Sequence, residues 1–207
     1  MNLVKNIFGF DENKKNVILD LDETIINATP TDDAVKKFEN QPEFKKTIDK
    51  FTWHDMDGTY IICERPHLSD FMDWLFKNFN VSVWTAASKD YALFIIKNSI
   101  LCGKENRKLQ FIFFDYHCDL SQIVYKDQDE PQKKLELLYE NGPFNLKGFN
   151  KDNTILLDDK SYNKDCNGPN CIQVLPFRVT DVDSDTETHL DSVKKKLEVF
   201  KKEGPQN

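Results

Sequence analysis

Asn16-Val17-Ile18-Leu19-Asp20-Leu21-Asp22-Glu23-Thr24 decides the fold. A short apolar run that ends abruptly in acids is the pattern of a parallel strand buried on both faces, with its carboxyl end opening into a site. Thr154-Ile155-Leu156-Leu157 repeats the pattern and ends in Asp158-Asp159. Between these two strands, Val81-Ser82-Val83-Trp84 and Phe111-Ile112-Phe113-Phe114 read as further strands, and Cys171-Ile172-Gln173-Val174-Leu175 as a last short one. Helical periodicity fills the gaps. Pro66 opens a helix with Leu68, Phe71, Met72, Leu75 and Phe79 on one face, and Ser88 stands as N-cap of a helix carrying Tyr91, Ala92, Ile95, Ile96 and Ile100. Pro131 opens a helix with Leu135, Leu138 and Tyr139 on one side, closed by Asn141-Gly142-Pro143. Thr186 to Glu203 forms a charged amphipathic helix, and Gly204 to Asn207 is expected to fray. Strand and helix alternate, so the class is α/β with a parallel sheet flanked by helices.

One region breaks the alternation. Residues 28–50 are polar and charged, with Pro30, Pro42 and a helix over 33–39, and they read as an inserted surface segment. Phe51-Thr52-Trp53-His54 and Thr59-Tyr60-Ile61-Ile62-Cys63 flank Asp57-Gly58, a dipeptide that accepts the positive φ angles of a tight hairpin turn. An insertion of about residues 28–63 with a β-hairpin at its end is expected. Phe51, Trp53 and Tyr60 either line a groove for an extended peptide or form the hairpin's own core.

Composition narrows the function. The 207 residues suit a single domain, residues 1–207, with a core over about 14–203; 28 Lys and Arg against 35 Asp and Glu give a net charge of −7. No basic stripe concentrates charge for nucleic-acid phosphates, and no run approaches the roughly 20 apolar residues of a membrane span. The five cysteines are odd in number and irregularly spaced, so a disulfide scaffold is disfavoured and an intracellular site, cytoplasmic or nuclear, is the expectation. A cysteine-based phosphatase needs Arg six positions after its thiolate, but Val124 follows Cys118 and Phe177 follows Cys171 at that distance.

The chemistry lies in the two acid pairs. Open α/β sheets place ligands beyond the carboxyl ends of their strands, so Asp20, Asp22, Asp158 and Asp159 should converge. Asp20 and Asp22 are two residues apart and in extended chain share one side, while Leu21 points into packing. Carboxylates clustered in this way repel unless a cation sits among them, and oxygen-only ligands suit a hard ion such as Mg²⁺. His54, His67, His117 and His189 are scattered and receive no metal role.

Asp20-Leu21-Asp22-Glu23-Thr24 after an apolar strand resembles the first motif of the haloacid dehalogenase superfamily of phosphotransferases. Glu64-Arg65-Pro66-His67-Leu68 and Val83-Trp84-Thr85-Ala86-Ala87-Ser88-Lys89-Asp90-Tyr91-Ala92 are similar to the signature of its RNA polymerase II C-terminal-domain phosphatase branch, the NLI-interacting-factor-like family. Lys133-Lys134-Leu135 resembles the third-motif lysine and Leu156-Leu157-Asp158-Asp159 the fourth motif, so the resemblance runs from about Val17 to Phe177. It implies a Rossmann-like core and catalysis by Asp20, Asp22, Thr85 and Lys133. Asp20 would be the nucleophile and Asp22 the general acid and base, its backbone carbonyl also touching the metal. Thr24, Thr85, Ala86 and Lys133 would contact substrate, and Asp20, Asp22, Asp158 and Asp159 would hold Mg²⁺. Lys134, Lys126 and Lys147 are alternatives to Lys133. The family often has Asp-Asn where this chain has Asp158-Asp159, which leaves two roles open for Asp158: metal ligand or orienter of Lys133. Glu23 reads as a supporting or surface residue and Arg65 as a structural ion-pair partner. The implied substrate is a phosphorylated protein or peptide carrying phosphoserine or phosphothreonine. Phosphatases of nucleic-acid ends or small molecules, and a non-catalytic phosphoprotein-binding scaffold, are the competing readings.

Overall fold

The computed structural model describes residues 10–40, 42–125 and 132–206. In chain order the strands are β1 (Asn16–Leu19), β2 (Ile26–Pro30), β3 (Trp53–Met56), β4 (Tyr60–Glu64), β5 (Asn80–Trp84), β6 (Leu109–Phe113), β7 (Thr154–Asp158) and β8 (Cys171–Gln173). The helices are α1 (Thr31–Asn40), α2 (Pro42–Ile48), α3 (Leu68–Asn78), α4 (Lys89–Ile95, extended by a π-helical turn over Ile96–Leu101), α5 (Asp115–Tyr125), α6 (Ser161–Asn167) and α7 (His189–Glu203).

Five strands make a parallel sheet in the order β6-β5-β1-β7-β8. β1, at its centre, pairs with β5 on one side and β7 on the other, so successive connections leave it in opposite directions. That reversal opens a crevice at the carboxyl ends. Side chains alternate between two cores. Val17, Leu19, Val81, Val83, Ile155 and Leu157 face the cluster built with α3, α4 and α7. Ile18, Trp84 and Leu156 face the opposite cluster with Phe113, Cys118, Leu135, Leu137, Leu138 and Phe149. Both faces are covered, which is why these strands read as unbroken apolar runs.

The insertion is more ordered than its composition suggests. Ile26–Pro30 forms a strand, so a three-stranded antiparallel sheet, β2-β4-β3, replaces the expected lone hairpin and begins two residues before the expected boundary at 28. Asp57 and Gly58 turn the β3–β4 hairpin with φ of 47° and 69°. Ile62 packs into the main core, while Ile61 and Cys63 face the other way into a small cluster with Ala34, Phe44, Ile48, Phe51, Phe177 and Val179. The expected helix over 33–39 lies within α1, and α2 follows it. Phe51 is buried edge-on against Phe177, Tyr60 packs on Tyr91, and Trp53 is exposed.

Other expectations are corrected. Residues 115–125, read as a polar connection, form α5, and α6 was not anticipated. Of the helix expected from Pro131, that residue lies outside the described residues, and Leu135–Leu138 makes one 3-10 turn. β8 stops at Gln173, and α7 starts at His189, three residues late, where Glu187 Oε2 accepts from the His189 N–H at 2.6 Å. Gly204 is buried with φ of 88° and donates its N–H to Phe200 O at 2.9 Å, so it terminates α7 rather than fraying.

Candidate active site

Asp20 follows β1 directly and keeps the ladder going, its N–H donating to Leu157 O at 3.0 Å. The chain then turns tightly: Leu21 O accepts from the N–H groups of Thr24, Ile25 and Ile26, with Glu23 in the left-handed region at φ 57°. The turn carries Thr24 back beneath Asp20, where its hydroxyl donates to Asp20 Oδ2 at 2.8 Å. Thr24 is thus buried behind the carboxylate it supports.

Lys133 is 3% exposed, and its ammonium donates to Asp20 Oδ1 and, at 2.7 Å, to Asp158 Oδ2. Its backbone is fastened by α6: Asn163 Oδ1 accepts from Lys133 N at 2.9 Å and Asn167 Nδ2 donates to Lys133 O at 2.8 Å. Lys134 has its N–H on Ser121, Lys147 is exposed, and Lys126 lies outside the described residues.

Asp158 is fully buried with both oxygens occupied, Oδ1 by the N–H of Lys160 at 2.9 Å and Oδ2 by Lys133. Asp159 differs. Its Oδ2 accepts from Lys160 Nζ at 2.7 Å, but Oδ1 is buried without a hydrogen-bond partner. Carboxylate oxygens of Asp20, Asp158 and Asp159 lie within 4.8 Å of one another. An orphaned buried anionic oxygen beside two further carboxylates fits a hard divalent cation. Asp22 is turned aside, accepting at Oδ1 from the hydroxyl of Tyr91. Lys160 also reaches Glu23 at 3.1 Å, and Arg178 pairs with Glu23 at 3.0 Å, so Glu23 braces the rim of the site.

Burial dominates the electrostatics. It pushes the Asp20 carboxyl up to about 7; Lys133 opposes that shift, and Asp158 and Asp22 add to it. Burial raises Asp22 as well, against the pull of the Tyr91 hydroxyl, and raises Asp159 against Lys160. Burial works against the Lys133 ammonium, yet Asp158 and Asp20 outweigh it and hold the lysine above its ordinary value. Four acids facing two lysines leave room for a dication.

Asp20, Asp22, Thr85, Ala86, Lys133, Asp159 and Lys160 line a cavity of about 200 Å³. That is below the roughly 300 Å³ at which drug-sized sites begin, and suits a phosphoryl group with a cation. Larger cavities, about 420 Å³ beside β8 and about 330 Å³ beside Arg65, hold no comparable cluster of carboxylate oxygens among the described residues, so chemistry rather than volume marks the site. Thr85 follows β5 and is buried; its Oγ1 accepts from Ala87 N at 3.1 Å, which leaves the hydroxyl proton to donate into the cavity.

Sequence reasoning passed over Tyr91, Lys160, Asn163 and Asn167. Tyr91 read as one more apolar helix position, although a buried tyrosine hydroxyl demands a partner. Lys160 directly follows the acid pair. Asn163 and Asn167, four apart, had no signal without α6. Arg65 is the structural residue expected, bonding Thr24 O, Leu175 O and Glu187.

A parallel sheet with paired acids at its switch point and a lysine bridging them has the architecture of the haloacid dehalogenase superfamily. Within it, this chain belongs to the NLI interacting factor-like phosphatase family, which matches residues 15–205. The CTD phosphatase-like protein 355R of Invertebrate iridescent virus 6 is 42% identical over 176 residues, covering 85% of this chain and 93% of the viral protein. Its namesake in Invertebrate iridescent virus 3 is 38% identical over 192 residues, covering 91% and 97%. The structure of Fcp1, an essential RNA polymerase II CTD phosphatase, superposes with a TM-score of 0.54 at 23% identity, over 94% of this chain and 52% of that one. Fission yeast Fcp1-R271A bound to beryllium fluoride gives 0.56 at 24% identity, over 94% and 53%. This chain therefore spans about half the length of those two structures, and the likeness to them is one of fold.

Proposed function

We propose that this chain is a Mg²⁺-dependent phosphatase that hydrolyses phosphoserine and phosphothreonine in proteins through an aspartyl-phosphate, with residues 1–207 acting as one catalytic domain. The observation that carries the reading is the buried Lys133 bridging Asp20 and Asp158 beside the partnerless Asp159 Oδ1. Asp20 attacks phosphorus as the bond to the leaving oxygen breaks, and Asp22 gives that oxygen its proton. Asp22 then takes a proton from the water that displaces Asp20 from phosphorus, releasing inorganic phosphate. Thr85 and Lys133 donate to the phosphoryl oxygens, where negative charge is spread in the transition state. Thr24 and Lys133 hold one oxygen each of Asp20, which aims the nucleophile. Asp20 and Asp159, with the Asp22 backbone carbonyl, would hold Mg²⁺, which when bound offsets repulsion between the carboxylates and the phosphate dianion. The saturated bonding of Asp158 favours the lysine-orienting role for it. The exposed Ala86 lies at the cavity edge, where a peptide backbone would pass.

The names of the viral relatives and of the Fcp1 structures support the RNA polymerase II tail as substrate, and thereby a cytoplasmic or nuclear location. The test is hydrolysis of p-nitrophenyl phosphate and of phosphoserine peptides with the sequence of that tail, with Mg²⁺, with excess chelator, and with Asp20→Asn. Turnover should require both the metal and Asp20, with the variant below a few per cent of wild type. Metal-independent turnover would exclude the mechanism, and preference for a phosphorylated DNA end would exclude the substrate class.

A further inference from the structure

Asp22, the general acid of the proposed mechanism, has its Oδ1 held by the hydroxyl of Tyr91, which is 9% exposed at the first turn of α4. The Tyr91 ring is fixed in turn by Tyr60 of β4, edge-on with centroids 5.3 Å apart and planes at 76°. Tyr60 belongs to the insertion, where it pairs with Pro30 across the antiparallel sheet. A continuous contact therefore runs from the inserted sheet through two aromatic rings to one carboxyl oxygen in the cavity.

The geometry points to Tyr91 as the positioning residue of the general acid, with the inserted sheet, through Tyr60, as its support. The inference rests on the role proposed for Asp22. A carboxylic acid has one protonated and one carbonyl-like oxygen, and an O–H donor at Oδ1 makes that oxygen the acceptor. The transferable proton is then held on Oδ2. As the bond between phosphorus and the leaving oxygen breaks and the bond to Asp20 forms, that proton passes to the leaving oxygen, and the resulting carboxylate keeps the Tyr91 hydroxyl bond. Fixing the donor oxygen in advance removes a rotation from the reaction path. A freely rotating carboxyl would present its proton only part of the time. Leaving groups should feel this unequally: a serine alkoxide cannot depart without a proton, whereas p-nitrophenolate can.

The test is Tyr91→Phe, which keeps the ring on Tyr60 and deletes only the hydroxyl, assayed by kcat/KM, which reports phosphoenzyme formation. With Mg²⁺ present, a phosphoserine peptide should lose about thirtyfold or more and p-nitrophenyl phosphate about threefold or less, within the span expected of general acid catalysis. Tyr60→Leu should shift the two substrates in the same unequal way. An equal loss with both substrates, or none, overturns the inference. A crystal structure of the Tyr91→Phe protein adds a readout that needs no turnover: the Asp22 carboxyl should leave its wild-type rotamer, and an unmoved Asp22 overturns the inference by itself. Wild-type protein that fails to hydrolyse p-nitrophenyl phosphate defeats the function proposed above, a result separate from where Asp22 points.

Discussion

Asp20 is a costly residue to fold around. In the unfolded chain its carboxyl loses its proton near the ordinary aspartate value of about 3.9, whereas in the folded, metal-free protein burial holds the proton up to about 7. Between those limits the folded state binds a proton that the unfolded state has released. The stability this group contributes is therefore full below about pH 4 and is lost as pH rises through 7. Asp22 and Asp159, also raised by burial, act with the same sign. In chelator, the melting temperature of the wild-type protein should fall between pH 4.5 and pH 7.5 by more than that of Asp20→Asn, and at pH 7.5 the variant should melt higher. Differential scanning fluorimetry across that range decides it, and parallel curves would refute the electrostatic account. The role proposed for Asp20 and the stability of the fold are therefore opposed at this position.

At the scale of elements, a seven-residue helix does work that its length conceals. α6 holds Lys133 at both its N–H and its C=O through Asn163 and Asn167, and the Asn167 carboxamide also accepts from Leu135 N at 2.9 Å. Losing a partner for a buried backbone group costs about 1–3 kcal/mol. Asn167→Ala should therefore lower unfolding free energy by roughly that much in urea titration, and reduce kcat about tenfold or more as Lys133 loses its alignment with Asp20. A stability loss with unchanged kcat would mean that the lysine is positioned by its two carboxylates alone. This brace was illegible in the sequence because asparagines at that spacing are ordinary surface residues unless a third segment lies against them. β1, β5 and β7 were legible for the opposite reason: burial on both faces leaves an apolar run that needs no partner to be read. α5 was missed because a run of Asp115, His117, Asp119, Ser121 and Gln122 reads as polar, although Cys118 and Ser121 are buried. The acids of the site were legible at strand ends, whereas the turn that swings Asp22 onto Tyr91 depends on Glu23 adopting a positive φ, which no local signal announces.

Across the whole molecule, the inserted sheet, the turn after β1 and the segment leading to α7 meet at Arg65. Its guanidinium is buried; Nη1 donates to Thr24 O and Leu175 O, both at 2.9 Å, and Nε pairs with Glu187 at 2.6 Å. It also lies over the Phe177 ring, 5.5 Å from the centroid. Thr24 supports Asp20, so the same contact that ties distant segments together ends one hydrogen bond from the carboxylate proposed as nucleophile. Only a planar fork with several fixed donors reaches these acceptors at once while stacking on a ring, and a single ammonium on a flexible stem does not. Arg65→Lys, conservative in charge, should therefore behave as a severe change. The buried Thr24 carbonyl and the partly buried Leu175 carbonyl lose a donor and Glu187 keeps a weaker partner, for a loss of about 2–4 kcal/mol in chemical denaturation. Because the Thr24 carbonyl is released, kcat should fall while KM for p-nitrophenyl phosphate changes little, the reverse of what loss of a substrate-binding arginine would produce. A variant with near-native stability and a raised KM would place Arg65 among the substrate contacts and remove it from the framework that joins insertion to core.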